Sequence, residues 1–230
     1  PADMRPVVAA ETTLTYSGEE QTVLTVPEGA DTYYTVSGED KATDVGEYTI
    51  TLCLNEGYVW PDGTETDKTI QWKIQPMKVK APAAVTGLIY NGETQTGVAA
   101  GEGYTLEGEF KAVNAGEYTA VAKLTNTANY QWDDGTTEDK TIVWSIGEKT
   151  PAVSDFAVTY PRSEDLVYNG NAKKVTAKLS DSYPVQDITL TVVYTNADGI
   201  AVEEPTNAGT YTVKLCVSGS SNFAAAELAL

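Results

Sequence analysis

The chain has 230 residues, of which 33 are acidic and 15 are basic, so its formal net charge at pH 7 is −18. This charge argues against nucleic acid or an anionic membrane as a partner. The sequence contains no histidine, which excludes histidine-based catalysis and most transition-metal sites. We therefore expect no enzymatic activity, no cofactor and no bound metal.

Targeting and membrane segments are also missing from the sequence. No stretch approaches the roughly 18 consecutive apolar residues that would span a bilayer. The chain begins at Pro1 without a signal peptide, so we interpret it as a segment of a longer protein and expect any targeting signals to lie outside this segment.

The first recurring motif is an aromatic residue followed by a small polar residue and glycine. Glycine tolerates positive φ and asparagine tolerates the left-handed region, so each triplet predicts a turn between strands. The copies are Tyr16-Ser17-Gly18, Tyr90-Asn91-Gly92 and Tyr168-Asn169-Gly170.

A second motif follows, in which a short polar residue and glycine precede a tyrosine and an alternating apolar run. The copies are Asp44 to Ile50, Asn114 to Ala120 and Asn207 to Val213. The tyrosine ring is expected to pack while its hydroxyl bonds back to the turn. This arrangement is typical of the tyrosine corner that begins strand F of an immunoglobulin-like sandwich.

A third motif is long and nearly duplicated, since Tyr58 to Ile74 recurs as Tyr130 to Ile146. Eleven of seventeen aligned residues are identical. An aromatic run, an Asp-Gly turn and an alternating return run predict a β-hairpin in each copy. Repetition at this spacing indicates a tandem array of one small domain.

Together the motifs predict an all-β protein of three tandem immunoglobulin-like β-sandwich domains in an extended rod. The expected boundaries are residues 1–76, 77–148 and 149–230, which we call the first, second and third repeat. The third repeat has diverged: after its tyrosine corner it has no tryptophan and no Asp-Gly turn. We expect either that its loop is short or that its last strand is incomplete at the chain end. Three units with strands of about 25 Å predict a rod on the order of 100 Å.

The motifs resemble the tandem immunoglobulin-like repeats of bacterial surface proteins, including the MBG type. Ile50, Ala120 and Val213 stand where an antibody domain has its second cysteine. The resemblance implies an extracellular location, on a bacterial cell wall or secreted. It also implies a role as a stalk or an adhesive module.

The two cysteines are expected to be free thiols. Cys53 and Cys216 occupy the same position in the first and third repeats, and the second repeat has Lys123 there. A disulfide between them would have to reach across a whole domain, which its short Cα to Cα distance does not permit in an extended array.

The tryptophans supply the candidate binding residues. Trp72 and Trp144 share a face with isoleucines and are expected in the core. The second set, beside the Asp-Gly turns, consists of Tyr58, Trp60, Tyr130 and Trp132. If their face is open, they form aromatic platforms for a host or bacterial glycan or an extracellular protein. The alternative is that they close the end of the core.

Two other roles for polar residues stay open. Aspartates near the same turns offer oxygen ligands for calcium, but their spacing matches no EF-hand loop. Lysine–asparagine isopeptide crosslinks occur in some bacterial adhesin domains, and no residue pattern here marks one. We therefore predict a monomeric, non-enzymatic surface stalk or adhesion segment, with a glycan- or protein-binding module as the alternative.

Overall fold

The computed structural model describes residues 5–184 and 188–230. Within these residues the helices are three single 3-10 turns, Ala30–Thr32, Val153–Asp155 and Ser163–Asp165, and all other regular structure is β. The prediction of an all-β fold is therefore confirmed. The three domain boundaries, parts of which lie outside the described residues, stay a prediction.

In the described part of the chain, twenty strands make up the sheets. In the first repeat they are β1 (Val7–Val8), β2 (Thr13–Thr15), β3 (Leu24–Thr25), β4 (Tyr34–Gly38), β5 (Gly46–Leu54) and β6 (Lys68–Gln75). In the second they are β7 (Met77–Val79), β8 (Leu88–Ile89), β9 (Gln95–Thr96), β10 (Tyr104–Gly108), β11 (Lys111–Ala112), β12 (Gly116–Leu124), β13 (Tyr130–Trp132) and β14 (Lys140–Gly147). In the third they are β15 (Phe156–Thr159), β16 (Thr176–Leu179), β17 (Leu190–Asn196), β18 (Ala201–Val202), β19 (Tyr211–Val217) and β20 (Ala226–Ala229).

The chain divides into two compact units. The first contains the described residues up to Pro82 together with Ala100–Leu106 and Ala122–Lys140. Its sheet has the order β2-β6-β5-β4, with β2 parallel to β6 and the other pairs antiparallel. Alternate side chains of β5 and β6 point into one core, as their period-two pattern predicts. That core includes Ile50, Leu52, Trp72 and Ile74, so the predicted core position of Trp72 is confirmed.

The second unit contains Ala83–Ala99, Glu107–Val121 and the described residues from Thr141 to Leu230. Its antiparallel sheet has the order β18-β17-β19-β20. Phe156, Leu215 and Val217 form its buried cluster. The last strand of the third repeat is β20, which has four residues where β6 and β14 have eight. It pairs with β19 from Lys214 to Val217.

A further four-stranded sheet has the order β10-β12-β14-β8. β8 is parallel to the end of β14, with Leu88 opposite Ile146. Trp144 and Ile146, at alternate positions of β14, are 3% and 2% exposed. The predicted core position of Trp144 is therefore confirmed.

The three predicted tyrosine corners are present. Each tyrosine hydroxyl donates a hydrogen bond to the backbone carbonyl oxygen four residues earlier, at the polar residue that opens the motif. The bonds run from Tyr48 to Asp44 at 2.6 Å, from Tyr118 to Asn114 at 2.6 Å and from Tyr211 to Asn207 at 2.8 Å. Each bond fixes the turn that leads into a long central strand.

The hairpin prediction is wrong in its strand pairing. The Asp-Gly turns form as expected, with Gly63 and Gly135 at φ 81° and 85°. However, β13 pairs in parallel with β7, with Tyr130 opposite Met77, and does not pair with β14. In the first repeat, the described residues Tyr58 to Trp60 form no strand. The aromatic run before each turn is therefore not the first arm of a hairpin.

Gly97 lies directly against the buried indole of Trp144 in the second unit. A Cβ on this residue would lie 1.8 Å from Cδ2 and 2.0 Å from Cε3 of Trp144, so the buried indole would have to move. We expect Gly97→Ala to lower the free energy of unfolding by about 3 kcal/mol or more, measured by urea denaturation. Gly209→Ala is the matched control, because a Cβ there meets nothing within 4 Å, and its effect should stay within about 0.5 kcal/mol.

Candidate functional site

The two tryptophans proposed as binding platforms lie inside the protein. Trp60 is 5% exposed and Trp132 is 0% exposed. Each indole N–H donates a 2.8 Å hydrogen bond to a backbone carbonyl oxygen, of Thr66 and Glu138 respectively. The structure thus places them in the alternative position weighed above, at the end of the core. The open face on which the platform hypothesis depends is not present at these two residues.

The two tyrosines of the same set lie in different surroundings. Tyr58 is 38% exposed, and its ring lies edge-on to Tyr33 with centroids 5.1 Å apart. Tyr130 is half-buried and lies edge-on to Tyr16 at 5.3 Å. Ligand binding by any of the four residues stays a prediction. The contact of Tyr130 instead belongs to a different arrangement, built around its neighbour Asn129.

In the first unit, Asn129 joins the second repeat to the tyrosine corner of the first. Its side-chain oxygen accepts the Val45 N–H at 3.0 Å, and its side-chain nitrogen donates to Oδ1 of Asp44 at 2.8 Å. Its backbone carbonyl accepts the Met77 N–H at 2.9 Å. Asn129 itself is 3% exposed, and its two side-chain bonds are partly buried.

In the second unit, Asn222 makes the same contacts one repeat later. Its side-chain oxygen accepts the Ala115 N–H at 2.7 Å, and its side-chain nitrogen donates to Oδ1 of Asn114 at 3.1 Å. Its carbonyl accepts the Lys149 N–H at 2.8 Å. Phe223, which follows it, is fully buried and lies edge-on to Tyr90 at 5.4 Å, as Tyr130 lies edge-on to Tyr16.

We call this recurring arrangement the asparagine joint. On one side, a repeat supplies the acceptor, which consists of its tyrosine-corner turn and the tyrosine of its Tyr-x-Gly triplet. On the other side, the next repeat supplies a buried asparagine, the aromatic residue after it, and the connecting residue that pairs with them. Side-chain bonds and a ring contact therefore hold the two repeats together, and the backbone bond ties the asparagine to the connecting residue of its own repeat.

The sequence contains a weak pattern for these joints, an asparagine followed by an aromatic residue, which the three motifs above do not include. Asn129-Tyr130 and Asn222-Phe223 lie at the same distance after the tyrosine corner, eleven residues from Tyr118 and from Tyr211. The first repeat has Gly57 before its aromatic residue instead. A lone asparagine before an aromatic residue is a weak pattern, and its partners lie 84 to 108 residues away along the chain.

The aspartates considered as calcium ligands are used in turns. Asp62 accepts bonds from Thr64 and from the ammonium group of Lys68. Asp134 does the same with Thr136 and Lys140. These bonds hold the pKa of both carboxyl groups well below the usual range. The hydrogen bond from the lysine has the largest effect, followed by those from the threonine. Among the described residues, no group of three or more acidic or cysteine side chains is placed to hold a metal ion.

Both cysteines are free thiols, as predicted. Burial raises the pKa of Cys53, and the charge of the Asp67 carboxylate together with its hydrogen bond raises it further. A raised pKa lowers the thiolate fraction at neutral pH, so Cys53 is a poor nucleophile.

A polar cluster lies beside the joint in the second unit. Asp155 is 6% exposed and accepts the Tyr183 hydroxyl at 2.7 Å. Lys149 pairs with the same carboxylate at 3.4 Å, and the Tyr183 ring lies 5.2 Å from Phe223. Burial raises the pKa of Tyr183 to about 12, with the Asp155 hydrogen bond and charge adding to the effect.

This cluster makes stability depend on pH in the alkaline range. Because the pKa of Tyr183 is higher in the folded state, its contribution is fully present below pH 10 and is lost as the pH rises toward 12. We expect the urea midpoint to fall over this range more steeply than in Tyr183→Phe. Absorbance at 295 nm should show a late-titrating component in the difference between the two proteins. A difference spectrum that titrates near pH 10 would contradict this prediction.

Part of the chain matches the model of a known protein family. Residues 155–229, within the third repeat, match the family described as the MBG domain, which is typical of bacterial surface proteins. No curated protein matches the chain. In the described residues, no helix has the length and apolar character needed to cross a membrane. The match supports the predicted resemblance, and residues 155–229 are similar to an MBG domain.

Proposed function

We propose that this chain is a non-enzymatic stalk segment of a bacterial surface protein, built from three tandem immunoglobulin-like β-sandwich domains. The proposed domains are residues 1–76, 77–148 and 149–230. One observation carries the proposal: the asparagine joint occurs twice, with the same arrangement of side-chain bonds, where one repeat meets the next.

The joint suits a segment that must hold its shape. A flexible linker leaves its backbone solvated, whereas Met77 and Lys149 both donate their N–H groups to the asparagine carbonyls. Bending such a connection would break hydrogen bonds of Asn129 or Asn222, each 3% exposed, and an unsatisfied buried polar group is costly. Short connections with few free residues also favour fixed packing over free tumbling.

The MBG match and the composition support a surface location. MBG domains are typical of bacterial surface proteins, and a net charge of −18 keeps a protein soluble and monomeric. The adhesion alternative is a different function of the same segment. The burial of Trp60 and Trp132 argues against it, because these two residues were its aromatic platforms.

Small-angle X-ray scattering of the chain in solution tests the stalk proposal. A stiff rod on the order of 100 Å predicts a radius of gyration of roughly 29 Å, whereas a single compact globule of this length predicts about 17 Å. The larger value, independent of protein concentration, would support the proposal. A value near the smaller one would contradict it.

A binding screen tests the adhesion alternative. We expect no saturable binding to a panel of host glycans and extracellular-matrix proteins. Binding that is lost in Tyr58→Ala, in a variant whose unfolding midpoint is unchanged, would establish adhesion. Tyr58 is the suitable probe because it is the exposed member of the aromatic set.

A further inference from the structure

The two asparagine joints differ in how well their aromatic contact is covered. In the first joint, Tyr16 and Tyr130 are both half-buried, and their ring centroids lie 5.3 Å apart. In the second joint, the corresponding Tyr90 and Phe223 are 1% and 0% exposed. Because the asparagine bonds have the same arrangement in both joints, a different part of the chain must cover the second ring pair.

Tyr183, in the third repeat, is the residue that covers it. Its ring is stacked on Tyr90 with centroids 5.9 Å apart and lies edge-on to Phe223 at 5.2 Å, so three rings pack together. Its hydroxyl donates to Asp155 at 2.7 Å. The same carboxylate pairs with Lys149, the connecting residue of this joint. Tyr183 is therefore tied both to the second repeat and to the connection between the repeats.

The glycines of the Tyr-x-Gly triplets show the same difference between the joints. A Cβ on Gly92 would lie 3.1 Å from Cδ1 of Tyr183 and 3.4 Å from Cδ of Pro184, so the third repeat rests directly on this turn. A Cβ on Gly18 would meet only the Tyr16 hydroxyl, at 4.0 Å. Among the described residues, no atom of the second repeat reaches that point, and the first joint lacks this additional contact.

We propose that Tyr183 locks the second joint and that the first joint, which has no such residue, opens at a lower cost. Both joints are closed at rest, and a stalk under strain bends first at the connection through Met77. Met77 is 43% exposed and carries no charge that could pair as Lys149 does. Aromatic contacts and a hydrogen bond to a charged group both add to the cost of opening. The inference rests on the proposed stalk function and names the place where the stalk yields.

Amide hydrogen exchange of the whole chain, followed by NMR, measures the opening of each joint. The Val45 and Ala115 N–H groups are matched reporters, because each donates to the joint asparagine of the next repeat. After correction for intrinsic exchange rates, we expect Ala115 to exchange roughly tenfold or more slowly than Val45. Equal protection of the two amides, or better protection of Val45, would overturn the inference.

Replacing Tyr183 tests the lock itself. Tyr183→Ala should speed Ala115 exchange by roughly tenfold and leave Val45 exchange unchanged, whereas Tyr183→Phe, which keeps the ring, should have an intermediate effect. Protection of the amides between β17 and β19 shows that the third repeat stays folded. Unchanged Ala115 exchange in a folded Tyr183→Ala chain contradicts the proposal.

Two glycine variants supply a matched comparison that keeps every aromatic ring. Gly18 and Gly92 have φ of 81° and 83°, so alanine introduces similar backbone strain at both positions. Of the two, only Gly92→Ala places a Cβ against Tyr183. We expect Gly92→Ala to speed Ala115 exchange by roughly threefold more than Gly18→Ala speeds Val45 exchange. Equal effects of the two substitutions would count against the lock.

Variants of the joint asparagines separate this inference from the proposed function. Asn129→Ala should speed exchange of the Val45 N–H, and Asn222→Ala should speed exchange of the Ala115 N–H. If neither does, the joints themselves are wrong, and the stalk proposal fails with them. If both do, while Tyr183→Ala leaves Ala115 unchanged, only the lock is wrong.

Discussion

Replacing Asn129 by alanine is expected to lower the free energy of unfolding of the first unit by about 1–3 kcal/mol. The substitution removes both side-chain bonds of the joint, leaving the Val45 N–H and the Asp44 carboxylate without this partner. Exchange of the Val45 amide should accelerate, while the Ala115 amide in the other joint stays protected. Urea denaturation and amide exchange of the variant measure the two effects.

Replacing each joint asparagine by aspartate compares the two joints directly, because Asn129 donates to a carboxylate and Asn222 donates to an amide oxygen. Asn129→Asp would place a carboxylate against Asp44, whereas Asn222→Asp would face the neutral amide of Asn114. We expect the first variant to be the less stable one at pH 7. Two adjacent carboxylates raise their pKa, so its lost stability should return as the pH falls. Equal stability of the two variants, with no pH dependence, would contradict the assigned contacts.

Trp132→Ala is expected to lower the free energy of unfolding by about 3–5 kcal/mol. Its indole is fully buried, lies 5.9 Å from the ring of Tyr104 and donates to the Glu138 carbonyl. The substitution leaves a cavity and an unpaired carbonyl. The midpoint of urea unfolding, followed by circular dichroism, measures the loss.

Two controls separate packing from hydrogen bonding at this site. Trp132→Phe keeps most of the ring but removes the N–H donor, and we expect it to cost about 1–2 kcal/mol. Val143→Ala changes a residue that is 53% exposed and should stay within about 0.5 kcal/mol of the original protein. An unchanged midpoint in Trp132→Ala would show that the indole is not part of the core.

Local sequence patterns predicted the parts of the fold that depend on nearby residues. The tyrosine corner closes over four residues, and the three bonds from Tyr48, Tyr118 and Tyr211 follow from one short motif. The core positions of Trp72 and Trp144 follow from the period-two alternation of their strands. Positive φ at Gly63 and Gly135 follows from the Asp-Gly turns.

Long-range pairing could not be predicted in the same way. A three-residue strand such as β13 fits any partner with a free edge, and its sequence does not distinguish β14 from the parallel strand β7. The partner depends on where the connecting residue Met77 lies, which is a property of the folded array. The predicted hairpin therefore had the right turn and the wrong strand.

The candidate site was missed for a related reason. Aromatic residues beside a turn suggested a binding surface, but the exposure of Trp60 and Trp132 depends on contacts with Tyr34 and Tyr104 in other strands. The joints depend on single asparagines whose partners belong to the preceding repeat. Aligning the repeats shows that Asn129 and Asn222 occupy the same position, where the first repeat has Gly57. Neither asparagine stands out when its repeat is read alone.

The measurement that tests the central claim most directly is ¹⁵N relaxation of the intact chain, compared with the double variant Asn129→Ala, Asn222→Ala. If the asparagine joints stiffen the stalk, the three repeats of the intact chain should share one set of rotational diffusion parameters. In the double variant each repeat should tumble separately and faster. Repeats that already tumble independently in the intact chain, or a double variant with unchanged relaxation, would contradict the account.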